Sequence, residues 1–488
     1  MAPSSLFNAP AASHRLLRIW FIAVLARVVY ALIAPGFHAR DDYFHVLAPA
    51  LNWIDDPSWI WALSDTPGAG IRSHLLPKVV QGLVAFSASY SPTTQLQFIG
   101  AVLALWSSLV VPLSWPLIKQ LTDTPRTQDV LALLLALHPL LIYGAPKLLI
   151  EVHCIPLIVG ALSLLVMHHK YVSLFSAGLL FGLGVYIRYQ AITIAPFALA
   201  WIVLSYPTLK KISSALLIVV VGTAVGLSFG GVYDLLTDGR FLGPLIQNIE
   251  VNLEPSAELT RSSPLSYLGL LLALACPWTL HRVKWSTLTS RPVLMALLVG
   301  IGAFILVHSA NPHKEERFLY PVLPMLLLVL GCLWFSIPEE RCRLRLSLVY
   351  FHLGLTCLLF SIQPQSGTRI ALESVRETQS DTLLSLGPEV QNFYLRPDVI
   401  PTLRNRKFTK AWLHATLKRS EGQAFFVLSY APQSAEVLEV LEANGLDCGG
   451  ARSFEQNWAD DLAYKLNPRH NLRRSPIEIR ECRRPNGL

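Results

Sequence analysis

Charge is what this chain has least of. Asp, Glu, Lys and Arg make up 15% of its 488 residues, against about 25% in soluble domains. Hydrophobic residues supply 52%, so a water-soluble globule is excluded and a polytopic membrane protein is expected. The 7 cysteines show no Cys-x-x-Cys spacing, which argues against zinc-finger and dithiol sites. Cys154, Cys276, Cys332 and Cys357 fall in apolar runs, where a thiol packs as a small hydrophobe. Internal repeats and low-complexity tracts are lacking, and with them the paired halves expected of a transporter. The net charge of +8 would suit nucleic acid. Here, however, the basic residues sit in short clusters between apolar runs, as in cytoplasmic loops of membrane proteins. No nucleic-acid partner is expected.

The apolar runs fall at 19–35, 96–118, 128–145, 149–167, 172–187, 190–206, 212–233, 264–280, 292–308, 318–336 and 346–362. Eleven spans follow, with residues 1–18 as a cytoplasmic lead and the basic clusters inside. Arg27 interrupts the first span; it either snorkels or faces the bundle interior toward an acidic partner. The run 75–89 is short, carries Pro77, Lys78 and Gln81, and is left uncounted as re-entrant or interfacial. This topology brings the Asp41 loop, 144–150, the turn at Arg188, 234–263 and 313–317 to one outer face. Beyond 362 the chain turns polar. Residues 363–488 are expected to form a small extracytoplasmic α/β domain, with a helix over 433–444 and strands over 424–429 and 477–480. Cys448 and Cys482 lie there outside any apolar run and are candidates for a disulfide in an oxidising compartment.

Between the runs 293–307 and 318–335 stand five consecutive ionisable side chains, His313-Lys314-Glu315-Glu316-Arg317. In hydrocarbon each charge would cost a few kcal/mol or more, so they belong at a membrane surface or in a wet cavity. Lys314 and Arg317 can share one side of a helical turn, with Glu315 and Glu316 positioning them; for Glu315, plain salt bridging is the alternative. In the loop 36–73, Asp41-Asp42 has three readings: a general base, a divalent-ion ligand or a helix N-cap. Helical spacing over 43–54, with Trp53, Trp59 and Trp61 nearby, predicts an amphipathic helix anchored in the interface. Arg72 can fork onto a phosphate or bind lipid head groups. Arg188, in a tight outer turn, has the same two readings. Lys147, Glu151 and Asp234 are weaker signals at helix ends.

The order His313-Lys314-Glu315-Glu316-Arg317-Phe318, followed by Tyr320-Pro321, resembles the His-Lys-Glu-x-Arg-Phe signature of glycosyltransferase family 22. That family comprises lipid-linked mannosyltransferases of N-glycan and GPI-anchor assembly, in the GT-C superfamily. The resemblance extends over roughly 20–335. Asp41 matches the family's catalytic acid, Asp42 stands where the family has Glu, and His45 replaces its Gln or Asn. Arg72-Ser73 with Pro77 matches a second landmark, and Gly239, Pro244, Asn248 and Asn252 resemble a third with altered spacing.

The resemblance implies an all-α polytopic GT-C membrane protein, with a transmembrane catalytic domain over 19–362 and interfacial helices; the small C-terminal α/β domain over 363–488 lies beyond it. It implies inverting transfer of mannose from a polyprenyl- or dolichyl-phosphate carrier to a lipid-linked or cell-surface glycan. Asp41 and Asp42 would be catalytic. Arg72, His313, Lys314 and Arg317 would hold the donor phosphate, supported by His45, Glu315, Glu316 and Arg188. No metal or cofactor is expected; the partners are the lipid-linked donor, a glycan or glycolipid acceptor and membrane lipids. The membrane would be the endoplasmic reticulum in a eukaryote or the cell membrane in a bacterium. A GT-C transferase of another sugar is the nearer rival, and a lipid or solute transporter the remoter one.

Overall fold

The computed structural model describes residues 10–38, 42–61, 70–167, 170–253, 263–311, 314–377, 383–386, 391–395, 402–405, 409–419, 424–468 and 471–485. The chain forms two compact units, one of residues 1–33, 44–86 and 98–359, the other of 34–43, 87–97 and 360–488.

The first unit is helical, and one of its helices, over 92–108, begins in the 87–97 segment of the second. Its helices are α1 Pro10–Ile33, α2 Ala48–Asp55, α3 Leu75–Phe86, α4 Pro92–Ser108, α5 Val110–Leu121, α6 Pro125–Leu137, α7 Pro139–Gly144, α8 Ile150–His153, α9 Ile155–Met167, α10 Tyr171–Ile187, α11 Pro196–Ser205, α12 Leu209–Asp238, α13 Gly243–Leu253, α14 Ser266–Ala275, α15 Pro292–Ala310, α16 Leu323–Phe335 and α17 Cys342–Phe360. Among the described residues, 7 stretches are long and apolar enough to cross a bilayer, and 4 shorter apolar helices accompany them. At 12 residues, α3 spans about 18 Å, well short of the roughly 30 Å hydrocarbon core. The span expected over 128–145 is broken, because Pro139 starts a new helix and offers no N–H to the Leu135 carbonyl. Arg27 fills that gap. It is fully buried and donates to the carbonyls of Leu135 (2.9 Å) and Ala136 (2.7 Å). Of the two alternatives, Arg27 takes the bundle interior, but its partners there are backbone carbonyls and not an acid.

Two helices meet backbone to backbone. A Cβ added at Gly178 or Gly182 of α10 would stand 2.2 Å from the carbonyl oxygens of Val219 and Thr223. One added at Gly222 or Gly226 of α12 would stand 2.3 Å from those of Phe175 and Leu179. Glycines four apart on both helices form the seam by which membrane helices pack in the absence of a hydrophobic driving force.

Among the described residues, the second unit carries a six-stranded sheet. Its elements are α18 Ser366–Glu377, β1 Leu383–Leu386, α19 Gln391–Leu395, β2 Thr402–Asn405, α20 Lys410–Arg419, β3 Ala424–Tyr430, α21 Ser434–Ala443, β4 Asp447–Cys448, β5 Arg452–Phe454, α22 Trp458–Leu466 and β6 Ile477–Arg483. The strand order is β2-β1-β3-β6-β4, with β5 also on β6. β1 is parallel to β2 and β3, whereas β6 runs antiparallel. Leu384, Leu413, Phe425, Val427 and Leu441 build the core beside the sheet. Cys448 faces Cys482 across β4 and β6, and the two form a disulfide.

Three outcomes are expected. Gly182→Ala should lower the thermal stability of the detergent-purified protein by at least about 1–3 kcal/mol through overpacking. Gly302→Ala, whose Cβ meets nothing within 4 Å, should be neutral or stabilising by up to about 1 kcal/mol. Alkylation of native protein without reductant should leave Cys448 and Cys482 unmodified, and modification of both would reject the bridge.

Candidate active site

Arg188 is buried at the bend that ends α10, and three other stretches meet it. Its Nη2 lies 3.2 Å from Glu151 Oε1 in α8, and its guanidinium stacks 4.9 Å from the Phe318 ring centroid. Arg317 approaches the same ring at 5.5 Å and forks onto Glu315, with Nε to Oε2 at 2.6 Å and Nη2 to Oε1 at 3.0 Å. Arg72 and Arg317 both act on the Arg188 charge. Three guanidiniums therefore share one neighbourhood, with Glu151 and Glu315 as counter-charges. Such a grouping of guanidiniums has the chemistry to hold a phosphate-like anion.

The Arg72 segment is pinned from both sides. On one side a chain of amides runs from the end of α15 through α13. Asn311 donates to Asn252 Oδ1 (3.3 Å), Asn252 to the Asn248 carbonyl (2.7 Å), and Asn248 to the Ile71 carbonyl (3.1 Å). Gly70 opens the segment with φ +70°, a left-handed conformation that suits glycine. On the other side is His74. Its Nδ1 lies 2.9 Å from Asp234 Oδ1 and its Nε2 2.9 Å from Asp238 Oδ2. The two acids are one turn apart on α12 and present the same face. Tyr186 donates to Asp234 Oδ1 at 2.6 Å, and the rings of Trp53 and Trp61 lie 5.7 and 5.5 Å from the imidazole. A carboxylate beside each nitrogen favours an imidazole that carries both protons. Burial works to lower the His74 pKa, but the hydrogen bonds and charges of Asp234 and Asp238 outweigh it and hold the pKa above its ordinary value.

The remaining expected residues are placed as follows. Asp41 and His313 lie outside the described residues. Asp42 is buried, and its Oδ2 accepts the His38 N–H at 2.8 Å. His45 is buried in a π-helical turn, Tyr43–Leu47, that leads into α2. Lys314 is half-buried and donates to the Asn311 carbonyl, while Glu316 is exposed at the start of a 3-10 turn, Glu316–Val322. Trp53 and Trp61 are buried against His74, not displayed as interfacial anchors. His74, Asp238 and Tyr186 were not singled out by sequence reasoning. The available signal was a pair of acids four apart at the end of a 30-residue apolar helix, a placement that demands a buried cation.

Among solved structures, the chain is similar to ArnT from Cupriavidus metallidurans bound to undecaprenyl phosphate, with TM-score 0.63 and 10% identity, covering 96% of this chain and 98% of that one. It is also similar to the Archaeoglobus fulgidus oligosaccharyltransferase in the apo form, with TM-score 0.55 and 11% identity, over 90% and 72% of the two chains. A third is the archaeal oligosaccharyltransferase AglB from Archaeoglobus fulgidus, in complex with an inhibitory peptide and a dolichol-phosphate. There the TM-score is 0.51 at 11% identity, over 87% and 70%. The fold is that of a GT-C membrane glycosyltransferase. The model of the Alg9-like mannosyltransferase family, glycosyltransferase family 22, matches residues 19–384, and the chain belongs to that family. Compared with individual curated protein sequences, it finds no match.

The clamp on His74 has a pH signature. A raised pKa means that the stabilisation is complete below the unfolded value of about 6.5 and is lost as pH rises through the folded value. Melting curves of wild-type protein should therefore show an alkaline loss of stability that His74→Asn flattens. At neutral pH, His74→Asn should cost about 3–5 kcal/mol, because two buried carboxylates lose their cation.

Proposed function

We propose that this protein transfers mannose, with inversion, from a polyprenyl- or dolichyl-phosphate carrier to a hydroxyl of a lipid-linked or cell-surface glycan. The observation that carries the reading is the grouping of Arg72, Arg188 and Arg317 in one neighbourhood, beside a segment with the family's His-Lys-Glu-x-Arg-Phe order. Membership of a mannosyltransferase family supports the sugar. The undecaprenyl phosphate of ArnT and the dolichol-phosphate of AglB support a lipid phosphate as the carrier.

In the proposed reaction, Asp41 takes the proton of the acceptor hydroxyl, whose oxygen attacks the anomeric carbon. The bond from that carbon to the phosphate oxygen breaks on the opposite face, through an oxocarbenium-like transition state. Lipid phosphate leaves with the bonding electron pair. Arg72, Lys314 and Arg317, with His313, stabilise the charge that grows on its oxygens, and Arg188 supports them. Asp42 orients its neighbour. The Cys448–Cys482 bridge supports an oxidising, extracytoplasmic compartment for the second unit, and the same side is proposed for the chemistry.

The test is turnover of labelled polyprenyl-phosphate mannose by purified protein with a lipid extract from its own cells, the product being identified by mass spectrometry. Asp41→Asn should reduce turnover by about 10²–10⁴ while donor binding persists. Arg317→Ala should weaken donor use strongly, and Arg317→Lys should restore only part of it, because a point charge does not replace a fork. Wild-type turnover in both the Asp41 and Arg317 variants would remove the proposed mechanism.

A further inference from the structure

Helix α22, Trp458–Leu466, is built inside out. A helix on the surface of a water-exposed domain buries its apolar face and shows its acids to solvent. Here the inward side carries Asp460, which is 6% exposed. Its Oδ2 accepts the Gln365 N–H at 2.9 Å and the Asn457 side chain at 2.6 Å, and Arg474 lies 3.7 Å from Oδ1. The outward side carries Trp458, Leu462 and Leu466, which are 46%, 48% and 77% exposed. Their spacing of four puts all three in one stripe. The helix has a satisfied polar interior and an apolar exterior.

A second, independent observation says what covers the stripe. The indole Nε1 of Trp458 donates to Ser361 Oγ at 3.1 Å, and Ser361 is the first residue beyond the apolar stretch Arg343–Phe360, which is long enough to cross a bilayer. The stripe therefore begins where the chain leaves the membrane. A nine-residue helix is about 13 Å long, too short to span and long enough to lie along the interfacial zone. Tryptophan with its N–H bonded and its ring outward is the side chain most suited to that zone. Asp461 and Lys465 neutralise each other across one turn at 2.6 Å, so attachment needs apolar insertion and no anionic lipid.

We propose that α22 is a membrane-surface anchor, with Trp458, Leu462 and Leu466 inserted among the lipids of the leaflet at which α17 emerges. The partner is the bilayer itself, and a zwitterionic one is sufficient. The anchor holds this part of the second unit at the bilayer surface.

Spin labels test this on the full chain in phosphatidylcholine nanodiscs. The labels are placed at Leu462→Cys, at Leu466→Cys and, for comparison, at Lys465→Cys, in a background where Cys342 and Cys357 are replaced by serine. Collision with oxygen should be at least several-fold favoured over a water-soluble nickel chelate at 462 and 466, relative to 465. Equal access of nickel to 462 and 465 would show a stripe in water and overturn the proposal. Exclusion of both reagents from 462 would show a protein partner or a second copy, and would overturn it too. Unsubstituted protein provides the second reading: a carbene precursor dissolved in the bilayer should modify the peptide containing 458–466 on illumination. An unmodified peptide there would reject the anchor whatever the variants do.

Discussion

A charge inside an apolar helix bundle must be matched by another charge or by aligned dipoles, and Arg188 is where that constraint is most acute. Its guanidinium is buried at the end of a helix whose sequence from Tyr171 to Ile187 contains no ionisable carboxylate. Removing such a group from water costs several kcal/mol unless a partner stands close. Glu151 supplies the opposite charge, and the face of Phe318 covers the guanidinium plane with a modest cation–π attraction. Phe318 in turn sits beside Arg317, which needs Glu315 for the same reason. Each compensation recruits the next segment, so that α8, the α10 bend and the 314–318 stretch are fixed relative to one another by electrostatics.

Packing sets the stage for this. The glycine seam lets α10 and α12 run in contact, and its last member has a further consequence. A Cβ at Gly230 would stand 2.2 Å from the Tyr186 ring, so only glycine leaves room for that ring. The space brings the Tyr186 hydroxyl to Asp234, and Asp234 with Asp238 holds His74. A packing device in the middle of two helices is thereby converted into the position of the loop that carries Arg72. The left-handed Gly70 and the Asn248 contact complete the restraint from the other end.

The apolar runs were legible because 15–20 residue stretches without charge have few other uses. The helix of the tail and its strands were legible from short alternating or periodic patterns. What composition did not reveal is pairing at a distance. Arg27 binds the carbonyls that Pro139 leaves unpaired, 108 residues away for Leu135, and neither residue announces the other. Trp53, Trp59 and Trp61 read as interfacial because tryptophan is common there, yet two of them are buried around an imidazole that the sequence shows only as one histidine after Arg72-Ser73. Arg72 and Arg317 stood out because Arg72-Ser73 and the order His313–Phe318 resemble family landmarks, and Arg188 because it stands at a tight outer turn. The device that positions Arg72 was not, since it depends on two acids more than 150 residues later in the chain.

On the proposed reading, the three guanidiniums are not equivalent receptors for an anion. Arg188 and Arg317 already face carboxylates, so much of their field is compensated before any ligand arrives. Among the described residues Arg72 makes no ion pair, and it is half-buried rather than closed off. Its side chain extends from a backbone restrained at Ile71 and His74. Positive charge that is fixed in place and not yet matched is the form of electrostatics that gains most as negative charge develops on a leaving group, because little reorganisation remains to be done. On the proposed reading, Arg72 meets the phosphate first. Arg188 and Arg317 then act by the surplus they leave after Glu151 and Glu315, and the carboxylates keep the site from binding the product so tightly that lipid phosphate cannot leave.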